Sequence, residues 1–320
     1  MKAVALAALA AYTSAAQLEY EFMQYVVEFN KSYESLNEYQ MRKELFAAKN
    51  EFIKAHNATE SSYKVGHNKF SDYTEAEMQK MMGDLPTDDK IEPTKLTWDG
   101  AFAPINWINA GAVNPIQDQG QCGSCWAFSA TASMEGAVEI KYGTLLKFSE
   151  QLLVDCDTYD SGCNGGNANN GFHYYQTNGP MSEASYPYTA KDGTCKYNAS
   201  AAYSYRTAAT MYYTQVAYDD VNAMYAGLTK QPLTVRIYAS TYSFQTYKSG
   251  IYDDLSCPTT HNHATNVVGY GVDANNVEYW LMRNSWGTGW GEQGYMKMQV
   301  QPTGPGICGV QNWPSYPNLA

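Results

Sequence analysis

The chain has 320 residues, more than one average domain and enough to bury at least one large core. Only 17% of the residues are charged and 14% are aromatic, with 28 tyrosines, which excludes a disordered chain. A net charge of −11 argues against a nucleic-acid partner, since such binders carry basic patches, and suits solubility in an acidic compartment.

Met1 and Lys2 precede an Ala/Leu/Val run over residues 3–11 and the small residues Ser14, Ala15 and Ala16. That order reads as a secretory signal over 1–16. No other apolar run approaches the ~20 residues of a membrane span, so no membrane association is expected. Residues 17–57 read as helical. Phe22, Tyr25, Val26 and Phe29 form one stripe, and Leu36, Tyr39, Phe46 and Ile53 a second, with Glu38 and Arg42 spaced for an i,i+4 ion pair. An extended or turning piece, Gly66 to Asp72, leads to a helix over 74–82. Residues 83–99 carry two prolines and several acids without periodicity, and read as an exposed linker that is easily cut.

The stretch from Gln117 to Ser129, QDQGQCGSCWAFS, is where chemistry is expected. Gly120 and Gly123 mark a turning, closely approached backbone. Ala127, Ala130, Met134 and Val138 then recur at helical spacing, and Gly143 sits where a left-handed cap ends a helix. Cys125 thus falls at a helix N-terminus, whose free N–H groups and dipole bias a thiol toward thiolate, with pKa values of about 3.5–7.5 in such settings. A short helix over 149–156 with Ser149 as N-cap follows, then a loop through Gly165 and Gly166, then a helix over 169–176. Residues 235–238, 266–270, 277–282 and 294–300 alternate as strands of an antiparallel sheet or barrel. A mainly helical half before a mainly β half predicts an α+β fold of two subdomains with a cleft between them.

Seven cysteines fit an oxidising compartment, as paired bridges plus one leftover thiol. Spacing leaves the pairing open, because six cysteines allow about 15 connectivities. Cys122 and Cys125 as CxxC could form a redox pair or half a zinc site. The polar loop before them lacks the strand that a redox unit needs. His261 and His263 could ligate a metal, but no Cys or carboxylate cluster accompanies them. Asn57-Ala58-Thr59 and Asn198-Ala199-Ser200 are sequons.

The run Cys122-Gly123-Ser124-Cys125-Trp126 matches the C-G-[SA]-C-[WY] signature around a papain or cathepsin nucleophile. His263 falls within the roughly 130–150 residues downstream where that family has its histidine, and Asn284, in Arg283-Asn284-Ser285-Trp286-Gly287, a little beyond. The chain resembles a papain-like cysteine protease precursor of the cathepsin L type along essentially its whole length. The resemblance implies the papain-like fold, a helical subdomain and a β-barrel subdomain after a helical propeptide. It divides the chain into a signal at 1–16, an inhibitory propeptide at 17–100 and a peptidase at 101–320, matured near 99–103.

It also implies roles. Cys125 matches the nucleophile, His263 the general base and acid in a thiolate–imidazolium pair, and Asn284 the residue that orients the imidazole under Trp286. Gln119 matches the side-chain donor of the oxyanion hole. Gly165 and Gly166 match the loop that pairs with an extended substrate, while Asn167, Ala168, His261, Ala264 and Trp313 surround the pocket for the second residue before the scissile bond. A Trp at the base of that pocket predicts a shallower site with a weaker preference for Phe or Leu. The implied bridges are Cys122–Cys163, Cys156–Cys195 and Cys257–Cys308, leaving Cys125 free. Glu38, Arg42, Phe46, Ile53 and Asn57 match one propeptide motif, in which Lys49 replaces an Asn; Gly66, Asn68, Phe70 and Asp72 match a second. The implied protein is a monomeric cysteine endopeptidase zymogen, without the inserted loop of the family's exopeptidases. It acts on peptides without metal or organic cofactor, is held by its own propeptide and by cystatin-type inhibitors, and resides in the secretory pathway, a lysosome or digestive vacuole, or outside the cell. The reading from another class is a silent homologue that only binds or inhibits.

Overall fold

In the computed structural model, which describes residues 2–86 and 91–320 and only the backbone of residues 2–14, the chain opens on helix α1 (Lys2–Glu28). The helix expected from residue 17 therefore begins inside the stretch read as a leader, of which Met1 lies outside the described residues. After Asn30, at a left-handed φ of 49°, α2 (Leu36–Asn57) starts on an N-cap, Ser35. The two predicted stripes meet as a small aromatic core of Phe22, Tyr25 and Phe46, the Phe22 and Phe46 rings 5.3 Å apart. Leu36 departs from its stripe and is exposed, while Ile53 packs into the β core instead.

Strand β1 (Tyr63–Val65) and α3 (Glu75–Gln79) follow. Thr74 and Glu77 close a reciprocal capping box that starts α3, which is shorter than the expected helix. The linker expected over 83–99 is exposed only in part: Leu85, Pro86, Glu92, Lys95, Thr97 and Asp99 are exposed, whereas its start is held in the cleft. Gly83 and Asp84 are buried, Asp84 forms a parallel bridge with Gly166, and Thr94 forms another with Val216. What buries them is backbone pairing and the charge partners of Asp84, neither of which leaves a periodic trace in sequence. Residues 87–90 of that stretch lie outside the described residues.

The rest comprises β2 (Ile105–Asn106), α4 (Cys125–Tyr142), α5 (Glu150–Cys156), α6 (Ala168–Thr177), β3 (Tyr213–Gln215), α7 (Val221–Leu228), β4 (Leu233–Ile237), α8 (Tyr242–Gln245), β5 (Tyr247–Tyr252), β6 (His263–Val272), β7 (Glu278–Arg283), β8 (Tyr295–Gln299) and β9 (Ser315–Pro317). Helix α4 is buried on every side over most of its length, so it forms the spine of the helical subdomain with Leu152, Leu153, Phe172 and Tyr175 around it. Gly143 caps it at φ 71°, as the sequence predicts.

The strands join one nine-stranded sheet in the order β1-β5-β8-β7-β6-β4-β9-β3, with β2 paired to β6. The sheet is not wholly antiparallel, because β5 and β8 run parallel. Its core of Leu233, Val235, Trp280, Met282, Trp290 and Met298 also takes in Ile53, Tyr63, Val65, Phe70, Met78 and Met81 from the first third of the chain. Three disulfides, Cys122–Cys163, Cys156–Cys195 and Cys257–Cys308, leave Cys125 as the free thiol.

Candidate active site

Cys125 is the first residue of α4, and the loop before it is pinned on both sides. Gly123 N–H donates to Cys163 O at 2.9 Å beside the Cys122–Cys163 bridge, and Gln119 N–H donates to Ser285 O at 2.9 Å across the cleft. His263 is the first residue of β6 and Asn284 follows β7, so the antiparallel pairing of these strands carries both side chains to one end. His263 Nε2–H donates to Asn284 Oδ1 at 2.9 Å, and Ser285 N–H donates to the same oxygen at 2.8 Å. This fixes the neutral imidazole with its lone pair on Nδ1, which is buried and has no hydrogen-bond partner among the described residues. The Trp286 ring lies 4.9 Å from that of His263, at 36°.

Burial opposes the thiolate expected from the helix terminus. It pushes the Cys125 thiol up to about 12, against the backbone amides of Ala264, Gly83 and Trp126, which pull it down. Burial also holds the His263 imidazolium down at about 4, against the Asn284 hydrogen bond. In this state both groups are neutral through the middle of the pH range.

The cover is the chain's own earlier part. Gln119 Nε2 donates to Met81 O and to Cys122 O, both at 2.8 Å, while its Oε1 accepts from Ser285 Oγ at 2.7 Å. A Cβ on Gly83 would stand 1.7 Å from Gly123 O, so only glycine lets the backbone lie this close. Gly166 N–H donates to Gly83 O and Leu85 N–H to Gly166 O, each at 2.8 Å. Gly165, at φ 117°, faces the Leu85 side chain. Asn167 caps α6 and donates from Nδ2 to Leu85 O at 2.8 Å, with Ala168 buried behind it. Phe70 packs edge-on against Trp286, its ring 5.3 Å away.

The remaining expected residues gather around one carboxylate. His261 Nδ1 lies 2.6 Å from Asp84 Oδ2, Ala264 is buried beside the cleft, and Trp313 stands 6.3 Å from His261, ring to ring. The two histidines go to separate partners rather than to a common point. The residues that sequence reasoning missed are Asp84, read as linker, and Arg236, read only as part of a strand. An arginine inside the run Leu233-Thr234-Val235-Arg236-Ile237 was the available sign. Lys49 is buried, and its ammonium donates to the Phe70 carbonyl, so the departure from the motif supplies a contact between the two propeptide motifs. Arg42 takes Glu77 as its main partner, at 2.7 Å, with Glu38 at 3.4 Å.

Residues 103–318 match the papain family cysteine protease model, and residues 22–78 match the cathepsin propeptide inhibitor domain. A cathepsin L-like proteinase of Phaedon cochleariae is 36% identical over 99% of this chain and 99% of its own. The senescence-specific cysteine protease SAG39 of Oryza sativa subsp. japonica is 37% identical over 92% of this chain and 88% of its own. Among solved structures, a recombinant stem bromelain precursor superposes with a TM-score of 0.85 at 35% identity, covering 94% of this chain and 99% of that one. Digestive procathepsin L 3 of Tenebrio molitor larval midgut gives 0.82 at 32%, covering 94% and 99%.

Proposed function

The chain belongs to the papain family of cysteine proteases, and from that premise we propose the part each site residue plays. The protein is a cysteine endopeptidase made as a zymogen, acting on peptides and held by its own propeptide. In the proposed reaction the Cys125 thiol proton passes to His263 Nδ1, the nitrogen left free by the Nε2–H bond to Asn284. The sulfur attacks the scissile carbonyl carbon, and the oxyanion is held by Gln119 Nε2 and the Cys125 backbone N–H. His263 returns the proton to the departing amine as the C–N bond breaks, leaving a thioester on Cys125. Water, deprotonated by the same imidazole, hydrolyses that thioester and restores the thiol. Trp286 shields the His263–Asn284 bond from water.

Gly165 and Gly166 pair with the substrate backbone. Asn167, Ala168, His261, Ala264 and Trp313 surround the pocket for the second residue before the cut, and Trp313 makes it shallow. The signal is 1–16, the propeptide 17–100 and the peptidase 101–320, with maturation near 99–103, an exposed stretch bearing Gly100 at φ 80°. The enzyme works as a monomer in a lysosome or digestive vacuole or outside the cell, and cystatin-type inhibitors bind it. Asn198, exposed, is the favoured glycan site. Asn57 is not, because its amide is bonded to Val65.

The observation that carries this reading is the segment from Met81 to Leu85, laid over Gln119, Cys125 and Gly166 in the cleft. Its test treats the precursor with a thiol-directed epoxide, at neutral pH or after acid with mild reductant, and maps the label by mass spectrometry. Label on Cys125 alone, and only after acid removes the first part of the chain, is the expected result. A processed form that takes no label overturns the assignment.

A further inference from the structure

The Asp84 carboxylate is almost wholly enclosed and meets two basic side chains of the peptidase part. Arg236 Nε stands 2.9 Å from each Asp84 oxygen, and His261 Nδ1 stands 2.6 Å from Oδ2. Arg236 Nη2 donates to Leu85 O at 2.8 Å, and its guanidinium lies over Trp313, 5.6 Å from the ring centroid. Tyr218 backs that ring at 4.3 Å. Asp84 N–H donates to Asn262 O, and its neighbours Gly83 and Leu85 are the two residues gripped by Gly166. The Asp84 side chain therefore fills the pocket next to the substrate-pairing loop.

Arg236 reaches the cleft because β4 pairs with β6 in the register Arg236↔Ala264, beside His263. Its side chain is only 8% exposed. That enclosure is made with Asp84 and Leu85 in place; once they leave with the propeptide, a side chain that refills the pocket encloses the guanidinium again, at a high cost unless it brings a counter-charge. The planar fork of arginine recognises a carboxylate, and the ring beneath it holds the guanidinium flat.

We propose that Arg236, aided by His261, makes this enzyme select an acidic residue, Glu or Asp, at the second position before the scissile bond. The incoming carboxylate takes the place that Asp84 holds in the precursor. An aliphatic or aromatic side chain there would enclose the guanidinium with no partner, so the pocket disfavours what a shallow apolar one merely tolerates. This inference rests on the protease reading and its pocket assignment.

The experiment compares peptide substrates identical except for Glu, Asp, Gln, Leu or Phe at that position, cleaved by the mature enzyme. Active sites are counted by epoxide labelling of Cys125. We expect kcat/KM for Glu or Asp to exceed that for Gln, Leu and Phe by about tenfold or more. In Arg236→Met the order inverts, the acidic peptides falling and the Leu peptide rising. Should that variant fail to fold, Asp84→Asn in the full-length precursor reads the same contact, and neutral-pH labelling of Cys125 should quicken by about tenfold. Mature enzyme that takes the label yet cleaves the Leu or Phe peptide as well as the Glu peptide overturns the acidic pocket and leaves the protease standing. Enzyme that takes no label overturns both.

Discussion

The amide nitrogen of Gln119 donates to the carbonyl oxygen of Met81 at 2.8 Å, so a carbonyl of the segment proposed as propeptide occupies the donor proposed for the oxyanion. Replacing Gln119 with Ala removes that donor. The expected outcome in the mature enzyme is a fall in kcat of about 10²–10³-fold with KM little changed, since the bond forms fully only in the transition state. Steady-state kinetics on probe-counted enzyme measure it, and a change confined to KM would sink the role.

Alkylation of Cys125 should separate precursor from mature enzyme by pH. With its thiol at about 12, the precursor holds a negligible thiolate fraction at neutral pH and gains reactivity only in strong alkali. Once the cover leaves, the helix N-terminus and His263 act on a solvated sulfur, and reactivity is expected at mildly acidic to neutral pH. Iodoacetamide labelling rates against pH for the two forms give the comparison. Equal rates near neutrality would show that the propeptide does not shield the thiol.

His67 carries an acid-sensitive load in the propeptide. Its ring stacks on Phe46 at 4.2 Å, Nδ1 bonds Ser71 Oγ and Nε2 bonds Asn50 Oδ1. Burial lowers its pKa from 6.5 to about 4; Glu21 works against this, while Lys49, Lys54 and Lys248 add to it. The unfolded propeptide then binds more protons than the folded one between those values. Stability is full above the upper value and is lost as pH falls toward the lower, each pH unit weighing about 1.4 kcal/mol. Glu77, held at about 2 chiefly by Arg42, acts in a lower window: its contribution is present above 4.5 and is lost as pH falls toward 2. His67→Gln, which keeps polar partners without the charge, should lower the pH at which half the precursor is processed. An unchanged midpoint would remove His67 as a trigger.

Lys49→Met removes one of the two donors to the buried Phe70 carbonyl, which keeps the Tyr73 N–H at 3.1 Å, at a cost of about 1 kcal/mol. Differential scanning of the precursor should show a lower melting temperature, and processing should begin at higher pH. A melting point equal to that of the parent would mean that the bond contributes nothing.

Much of this was legible in the chain because its signals are local. The QCGSCW run, the Gly143 cap, the Ser149 cap and the alternation in β4, β6, β7 and β8 each rest on residues within a few positions. What escaped depends on partners far along the chain. Asp84 is buried because Arg236 and His261 wait for it, and β1 is a strand only because β5 offers an edge. The thiolate expected at the start of α4 is true to the helix terminus but not to the buried precursor site, where desolvation outweighs the backbone amides that face the sulfur.

β1 lies on the outer side of β5, with Lys64 opposite Ser249 and a register slip before Val65. Maturation thus converts an interior strand into a sheet edge, with its amides and carbonyls bared to any other copy nearby. Lys248, exposed in that strand, and Gly250, at φ 92°, give the edge a charge and a kink. A release step that opens the catalytic cleft therefore also creates a surface open to self-association, and the chain carries the guard against it in the same six-residue strand.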